Sequence, residues 1–339
     1  MFEKEARLAK EALEATGRTT ELSLLALGGS HAYGLANEGS DVDLRGFALP
    51  TRRDVLLGQD FEQVDGIDGL DMSVYSLAKA CVLMAKCNPN MVELIGLEHD
   101  AILECSSTYL QMRAHPEWFL SRRAAYTFGG YATAQLRRLQ NAMARDTTTY
   151  QLAEGEIRSL ESALMLLPDS YPMLKGKVEM SFDALDTDDE DVRIMVTMSS
   201  MRVPATELAA FARQLDSARK SAETIGKNRR KESRKLAKHA SHLIRLLHMG
   251  AEILRGEGVR TRRTTDAKLL RDIKEGLWLH EDDLGVRSYD DAFWDLLEES
   301  ETAFREAKEN TALPDEPRLD ELADFVADCH AQVVLGRRG

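Results

Sequence analysis

Two aspartates and a glycine-serine pair lie close together near the N-terminus. Gly29 and Ser30 follow an apolar run at residues 22–27, and ten residues separate Ser30 from Asp41, which is followed by Asp43. Two residues apart on a strand, Asp41 and Asp43 would point to one face and address one site. Glycines let the backbone approach a ligand closely, and amides that open a helix suit phosphate oxygens. The spacing therefore predicts a site where carboxylates and phosphate meet.

Converging carboxylates repel each other unless cations lie between them, and hard divalent cations such as Mg²⁺ prefer carboxylate and phosphate oxygens. Two such ions, about 3.5–4 Å apart, can activate an attacking hydroxyl and neutralise a pyrophosphate leaving group. A third carboxylate would complete this arrangement. Asp71 is our candidate because it opens a short strand that could lie beside the strand of Asp41 and Asp43. Asp65 and Asp68 are alternatives, although both are typical of turn residues.

The elements that must hold these residues change in period along the chain. Strand-like segments cluster before residue 76, and apolar residues at helical spacing dominate after it. The predicted strands are 22–27, 40–47, 61–64 and 70–75. The predicted helices are 2–15, 76–86, 118–145, 206–220 and 229–254, and another begins at Asn88-Pro89. This order predicts an α+β fold with a largely helical C-terminal part.

Length and composition indicate a folded protein of two domains. The chain has 339 residues, 43% of them hydrophobic, and we predict domains at 1–115 and 116–339. No apolar run reaches the roughly 18 residues of a membrane span, and the charged N-terminus does not resemble a signal sequence. We therefore expect a cytoplasmic protein without a membrane partner. Its four cysteines lack the paired spacing of a zinc site and are interpreted as reduced, buried thiols.

The chain has a negative net charge but contains a basic segment. The net charge is −13, but residues 219–274 hold 17 Lys and Arg against 6 Asp and Glu, a local charge of +11. Such asymmetry suggests a polyanionic partner, although a solvated helix face is the alternative. Within the segment Lys238, His242 and Arg245 fall at i, i+4 and i+7. This helix face could meet a triphosphate, or it could simply be solvated.

The glycine-serine pair and the two aspartates resemble the hallmark of the DNA polymerase beta-like nucleotidyltransferase superfamily. With Gly29-Ser30-His31-Ala32-Tyr33-Gly34 and Ser40-Asp41-Val42-Asp43-Leu44-Arg45-Gly46, the chain resembles more narrowly the RNA repair pathway DNA polymerase beta family. Later blocks are also similar to this family: 71–77, 88–94, 130–139, 238–247 and Leu313-Pro314. The resemblance covers about 22–140 and 235–320, so residues 150–215 could be a lineage-specific portion.

The resemblance implies a small mixed sheet flanked by helices, and transfer of NMP from an NTP such as ATP to an acceptor hydroxyl. It implies two Mg²⁺ ions, with Mn²⁺ as a substitute, held by Asp41, Asp43 and Asp71. The expected nucleotide-binding residues are Gly29, Ser30, His31, Lys238, His242 and Arg245. An RNA end is the expected acceptor. Transfer to a protein hydroxyl, as in toxin-like members of the superfamily, and a catalytically silent nucleotide- or RNA-binding module are the alternatives.

Three residues near the site receive structural interpretations from the sequence. Arg45 is expected to point away from Asp43 and to form a structural ion pair. Tyr33 is interpreted mainly as a packing residue, and Glu93 as a carboxylate in the first turns of a helix.

Overall fold

The structure is a computed structural model that describes residues 2–66, 70–143, 171, 178–184, 192–198, 204–223, 232–282 and 286–336. The chain divides into two compact units. The first comprises Met1–Phe128, His248–Leu270 and Thr302–Gly339, and the second comprises Gly129–Leu247 and Arg271–Glu301. The predicted domain boundary after residue 115 stays a prediction. Among the described helices, none is long and apolar enough to cross a membrane.

Strands and short helices alternate through the N-terminal part. Its elements are α1 (Glu3–Thr16), β1 (Thr19–Leu27), α2 (Gly29–Ala32), β2 (Asp43–Pro50), α3 (Arg52–Leu57), β3 (Gln63–Asp65), β4 (Asp71–Ser76), α4 (Leu77–Ala85), α5 (Pro89–Val92), β5 (Ile102–Cys105) and α6 (Ser107–Ala114). The later elements are α7 (Arg123–Met143), β6 (Val178–Ala184), β7 (Val192–Met198), α8 (Ala205–Glu223), α9 (Ser233–Leu254), α10 (Ala267–Lys274), β8 (Leu279–Glu281), β9 (Arg287–Tyr289), α11 (Asp291–Asn310) and α12 (Leu319–Leu335).

The main sheet is five-stranded and mixed, with strand order β3-β4-β2-β1-β5. Strand β2 pairs antiparallel with β1 and parallel with β4, while β3 and β5 form antiparallel edges. In the parallel pair Asp43 lies opposite Asp71 and Phe47 lies opposite Tyr75. The predicted α+β fold, with a mixed sheet followed by a mainly helical region, is therefore confirmed.

Local signals in the sequence account for the positions of the helices in the N-terminal part. Helix α1 ends at Gly17, whose φ of 61° is the left-handed conformation that glycine adopts readily. Ser76 caps α4 by accepting a hydrogen bond from the Lys79 amide, so β4 passes directly into a helix. Asn88 caps α5 and Pro89 occupies its first position, as predicted.

The core of the main sheet consists of large apolar side chains from its central strands. Leu24 and Leu25 of β1, Phe47 of β2 and Val74 of β4 are all fully buried. Helices α4 and α12 contact β2, and α6 contacts β1. Burial of this apolar area fixes the register of the strands, because a slip by one residue would turn each side chain to the other face.

The sequence placed one important boundary wrongly. The strand predicted at 40–47 begins at Asp43, so Asp41 and Val42 precede it in irregular backbone. Three further strand regions were missed, namely β5 and the two-stranded pairs β6-β7 and β8-β9. Strand β5 has four residues and β8 and β9 have three each, which gives little alternation to detect, whereas β6 and β7 have seven each. The pair β6-β7 lies within the portion 150–215, whose lineage-specific origin stays a prediction.

The cysteines follow the sequence interpretation in three positions out of four. All four are free, and Cys81, Cys87 and Cys329 are buried. Burial raises the pKa of each of these three thiols, which keeps them protonated and unreactive. Cys105 is exposed because it ends the edge strand β5, so its interpretation as a buried residue was wrong.

Candidate active site

The turn between β1 and α2 brings the backbone against the first residue of β2. The Gly28 amide donates a hydrogen bond of 2.8 Å to the Asp43 carbonyl oxygen. Gly29 has φ +54°, and a Cβ atom added there would lie 2.0 Å from Asp43 Oδ2. Only glycine can therefore occupy this position without displacing the carboxylate.

Asp43 and Asp71 are brought together by the parallel pairing of β2 with β4. They are directly opposite each other in the register, and their carboxyl groups share a hydrogen bond. Burial, this hydrogen bond and the negative charge of Asp71 raise the pKa of Asp43 to about 6. The charge of Asp41 adds a smaller increase, and Arg45 acts in the opposite direction. Proximity of Asp71 to Asp43 was correctly predicted.

Asp41 lies at the margin of this pair rather than on the strand. It is exposed and follows a tight turn in which the Ser40 amide donates to the Asn37 carbonyl at 3.0 Å. The Asn37 amide in turn donates to Ser40 Oγ at 2.9 Å. The electrostatic effect of Asp41 on Asp43 places its charge near the carboxyl pair.

The carboxyl oxygens of Asp43 and Asp71 suit a hard divalent cation, although these two residues are only part of the predicted set of three ligands. Asp43 and Asp71 face each other with like charges, which demands either a shared proton or a cation. Within the ranges that the structure describes, no group of three or more His, Cys, Asp or Glu residues is placed to hold a metal ion. The structure thus brings two of the three predicted ligands into contact and leaves Asp41 beside them.

The two alternative third carboxylates differ in outcome. Asp65 lies on β3 opposite Ser73, whose hydroxyl donates to Asp65 Oδ1 at 3.3 Å. Asp65 thus bonds to β4 at Ser73, two residues along that strand from Asp71. Asp68 lies outside the described residues.

His31 and Ser30 lie in α2, directly after the turn. The His31 ring packs edge-on against Phe2, with ring centroids 5.1 Å apart. Its Nε2 atom is enclosed and has no hydrogen-bond partner among the residues that the structure describes. An enclosed polar nitrogen without a partner is costly, so this atom could accept from or donate to a bound ligand.

The sequence analysis expected Arg45 to point away from Asp43, and this expectation was wrong. Residues 43 and 45 share a face because side chains alternate along a strand, and their charges interact. Burial alone would lower the pKa of the Arg45 guanidinium, but attraction by the carboxyl groups, chiefly that of Glu93 and also that of Asp43, raises it overall. No ion pair of Arg45 with N–O distance within 4 Å is found in the described part of the chain, so the expected structural ion pair was wrong.

A buried polar group lies behind the turn and was not recognised as a unit from the sequence. Tyr33 is buried and donates its hydroxyl proton to Glu93 Oε2 at 2.8 Å, and Glu93 is 1% exposed. The carbonyl of Glu93 accepts from Thr261 Oγ1 at 2.5 Å. Tyr33 is thus the packing residue that was predicted. Glu93, in contrast, follows α5 as its C-terminal capping residue, and its side chain is buried.

Residues 258–263, far along the chain, also contact this region through a backbone hydrogen bond. The Arg263 amide donates to the Tyr33 carbonyl at 3.0 Å, and Val259 O would lie 2.2 Å from a Cβ on Gly96. Arg263 is 4% exposed and forms ion pairs with Glu252 and Asp266. Part of the basic segment is therefore used for internal ion pairs. Sequence spacing gave no signal for these contacts, because more than 160 residues separate the partners.

The three basic residues proposed for the triphosphate lie on α9. The helix and its inward-facing leucines are as predicted, since Leu243, Leu246 and Leu247 are buried. Lys238 and His242 are half-buried, whereas Arg245 is only 2% exposed. A wholly solvated face, the alternative interpretation, does not describe Arg245.

The raised pKa of Asp43 predicts a specific pH dependence of stability in metal-free buffer. The pKa of Asp43 is about 6 in the folded state, above its ordinary 3.8. Protonated Asp43 therefore stabilises the fold fully below about pH 4, and this contribution is lost as the pH rises through 6. The Asp43→Asn variant cannot titrate here. We expect the Tm of wild type minus that of the variant to fall between pH 4 and pH 7. A Ser73→Ala control should follow wild type, and a constant difference for Asp43→Asn would contradict the assignment.

Comparison with known families identifies a family that the N-terminal part of the chain resembles. Residues 6–153 match the model of the RNA repair pathway DNA polymerase beta family, which confirms the resemblance seen in the motifs. The matched range contains Gly29, Ser30 and all three aspartates. This family indicates a polymerase beta-like nucleotidyltransferase. Neither a curated protein nor a solved structure matches the chain. The resemblance of residues 235–320 stays a prediction, because the match ends before them.

Proposed function

We propose, from the family match of residues 6–153, that this protein transfers NMP from an NTP to an acceptor hydroxyl, with an RNA end as the acceptor. One observation carries the proposal. Asp43 and Asp71 lie side by side at the start of β2 and β4, directly beneath the glycine turn that would receive a phosphate chain. A carboxyl group with a raised pKa in such a position, as Asp43 has, is typical of functional sites.

The aspartates are the proposed metal ligands. Asp43 and Asp71 would provide adjacent oxygen atoms, and Asp41 would provide another from the irregular segment before β2. Two Mg²⁺ ions, or Mn²⁺ in their place, would neutralise phosphate charge and lower the pKa of the attacking hydroxyl. Asp41 is exposed and precedes the strand, two residues before Asp43.

The remaining residues would bind and orient the nucleotide. Gly29 and Ser30 would contact the terminal phosphates. The Nε2 atom of His31, which has no partner among the described residues, would bond to the nucleotide. Lys238, His242 and Arg245 are proposed to contribute positive charge towards the triphosphate or an RNA backbone. In the reaction the acceptor oxygen forms a bond to the α-phosphorus while the bond from that phosphorus to the bridging oxygen breaks. Pyrophosphate leaves, and Asp71 accepts the proton of the acceptor hydroxyl.

An RNA acceptor accords with the charge distribution. The segment 219–274 carries +11 within a chain of net charge −13, and its excess would offset the repulsion between an acidic protein and a polyanion. We place the reaction in the cytoplasm, because four free thiols suit a reducing compartment.

Incorporation of label tests the proposal. The protein would be incubated with each α-³²P-labelled NTP, Mg²⁺ or Mn²⁺, and pooled small RNA, and the products resolved on denaturing gels. We expect label in RNA with at least one NTP and none when the metal is chelated. Label in a polypeptide instead would favour modification of a protein hydroxyl. Nucleotide binding without transfer to either acceptor, unchanged by removal of the metal, would favour a silent binding module.

A further inference from the structure

Arg45 lies beside Asp43 and the glycine turn, and the reaction proposed above gives it no role. It is two residues from Asp43 on the same face of β2. Its side chain runs beside the glycine turn, because a Cβ added to Gly28 would lie 3.0 Å from Arg45 Nε. The guanidinium is therefore next to the backbone that leads into Gly29 and Ser30.

No acceptor among the described residues bonds to the donors of this guanidinium. An arginine carries five N–H donors in a planar fork, and buried polar groups are nearly always hydrogen-bonded. In the part of the chain that the structure describes, Arg45 makes neither a hydrogen bond nor an ion pair within 4 Å, although it is largely buried. None of its nitrogen atoms is among the fully enclosed atoms without a partner, so its polar end keeps access to solvent.

The surrounding residues hold the charge of Arg45 in place without consuming its donors. Glu93 has the strongest attractive effect on it, and Asp43 attracts it as well. Tyr33 in turn fixes Glu93 through the hydrogen bond of 2.8 Å, and Glu93 is 1% exposed. Such an arrangement pre-organises a cation whose fork remains open to a ligand.

We propose that Arg45 binds a phosphate group of the NTP directly, through its guanidinium, beside the Gly28–Gly29 turn. Guanidinium and phosphate match in geometry, since two parallel N–H groups can bond two phosphate oxygens. The proposal rests on the proposed nucleotidyltransferase function and adds to it a residue that recognises the phosphate chain. It also explains why a buried arginine stands two residues after Asp43.

Equilibrium binding to phosphate-bearing and phosphate-free ligands tests this role. The full chain, with Mg²⁺ present, would be titrated with inorganic tripolyphosphate, the four NTPs and the corresponding nucleosides. We expect Arg45→Gln to weaken binding of tripolyphosphate and of the preferred NTP by about 10- to 100-fold, the usual effect of losing a charged hydrogen bond. Affinity for the nucleoside should stay unchanged.

Two further variants separate recognition from folding. Arg45→Lys keeps the charge that Glu93 requires but loses the fork, so it should fold like wild type and still bind tripolyphosphate at least about 5-fold more weakly. Arg18→Gln removes an exposed charge at the opposite end of β1 and should bind as wild type does.

The outcomes are distinct from those of the transfer assay. Wild-type affinity for tripolyphosphate in both Arg45 variants, or equal weakening for phosphates and nucleosides, would overturn the role of Arg45. Absence of tripolyphosphate binding by the wild type would overturn it as well. Absence of label transfer, with the Arg45 effect on tripolyphosphate intact, would refute only the proposed reaction.

Discussion

Replacing Asp43 with asparagine is expected to abolish NMP transfer, with a rate loss of about 10³-fold or more, while the fold is retained. Asparagine has the same shape, so the close approach of Gly29 is preserved. It removes, however, the negative oxygen that pairs with Asp71 across the parallel strands. Loss of this charge should also weaken binding of Mn²⁺. The rate would be measured by label transfer from the preferred NTP, and the fold by circular dichroism and Tm.

Asp65→Asn is the matched control for this prediction. Asp65 lies in the same sheet and carries the same charge, but its carboxylate accepts from Ser73 rather than meeting Asp43. We expect Asp71→Asn to fail as Asp43→Asn does and Asp65→Asn to remain active. Transfer by Asp43→Asn at the wild-type rate would remove the metal site from the account. If Asp65→Asn were inactive and Asp71→Asn active, Asp65 rather than Asp71 would be the metal ligand beside Asp43.

The Gly29→Ala variant should lose activity by about 100-fold or more, because displacement of a reacting group by even 1 Å can have that effect. The new methyl group would lie 2.0 Å from Asp43 Oδ2, so the carboxylate or the turn must move. Gly29 also has a positive φ of 54°, and an L-residue in that conformation costs about 1–3 kcal/mol. Transfer rate and urea unfolding would measure the two effects separately.

Gly58→Ala separates backbone strain from steric displacement. Gly58 has φ +61°, close to that of Gly29, but nothing lies within 4 Å of an added Cβ. The two variants should therefore share a modest loss of stability, and only Gly29→Ala should lose transfer. Equal activity of the two variants would show that the turn does not position Asp43.

The sequence was most informative where chemistry and local signals coincide. The order of strand, glycine turn and DxD motif predicted that Gly29, Asp43 and Asp71 lie together, as they do in the structure, and the cap at Asn88 was found from residue type alone. The parallel neighbour of β2 could be suggested because β4 begins with a carboxylate. Its register opposite Asp43 depends on packing of the whole sheet.

Other features depend on contacts between distant residues and left no local trace. Glu93 looked like an ordinary first-turn carboxylate, and only the folded structure shows it buried against Tyr33. Docking of residues 258–263 on the turn has the same character. The position of Arg45 could have been obtained from the sequence, since side chains two apart on a strand share a face.

The most direct test of the account is a crystal structure with Mn²⁺ and an NTP analogue whose α,β-bridging oxygen is replaced by a methylene group. Anomalous scattering from Mn²⁺ would locate the ions independently of the protein atoms. The account predicts metal peaks within about 2.0–2.6 Å of carboxylate oxygens of Asp43 and Asp71, the range usual for hard cations. It also predicts the phosphate chain against Gly29 and Ser30. Nucleotide bound elsewhere, or metal peaks away from Asp43 and Asp71, would contradict it.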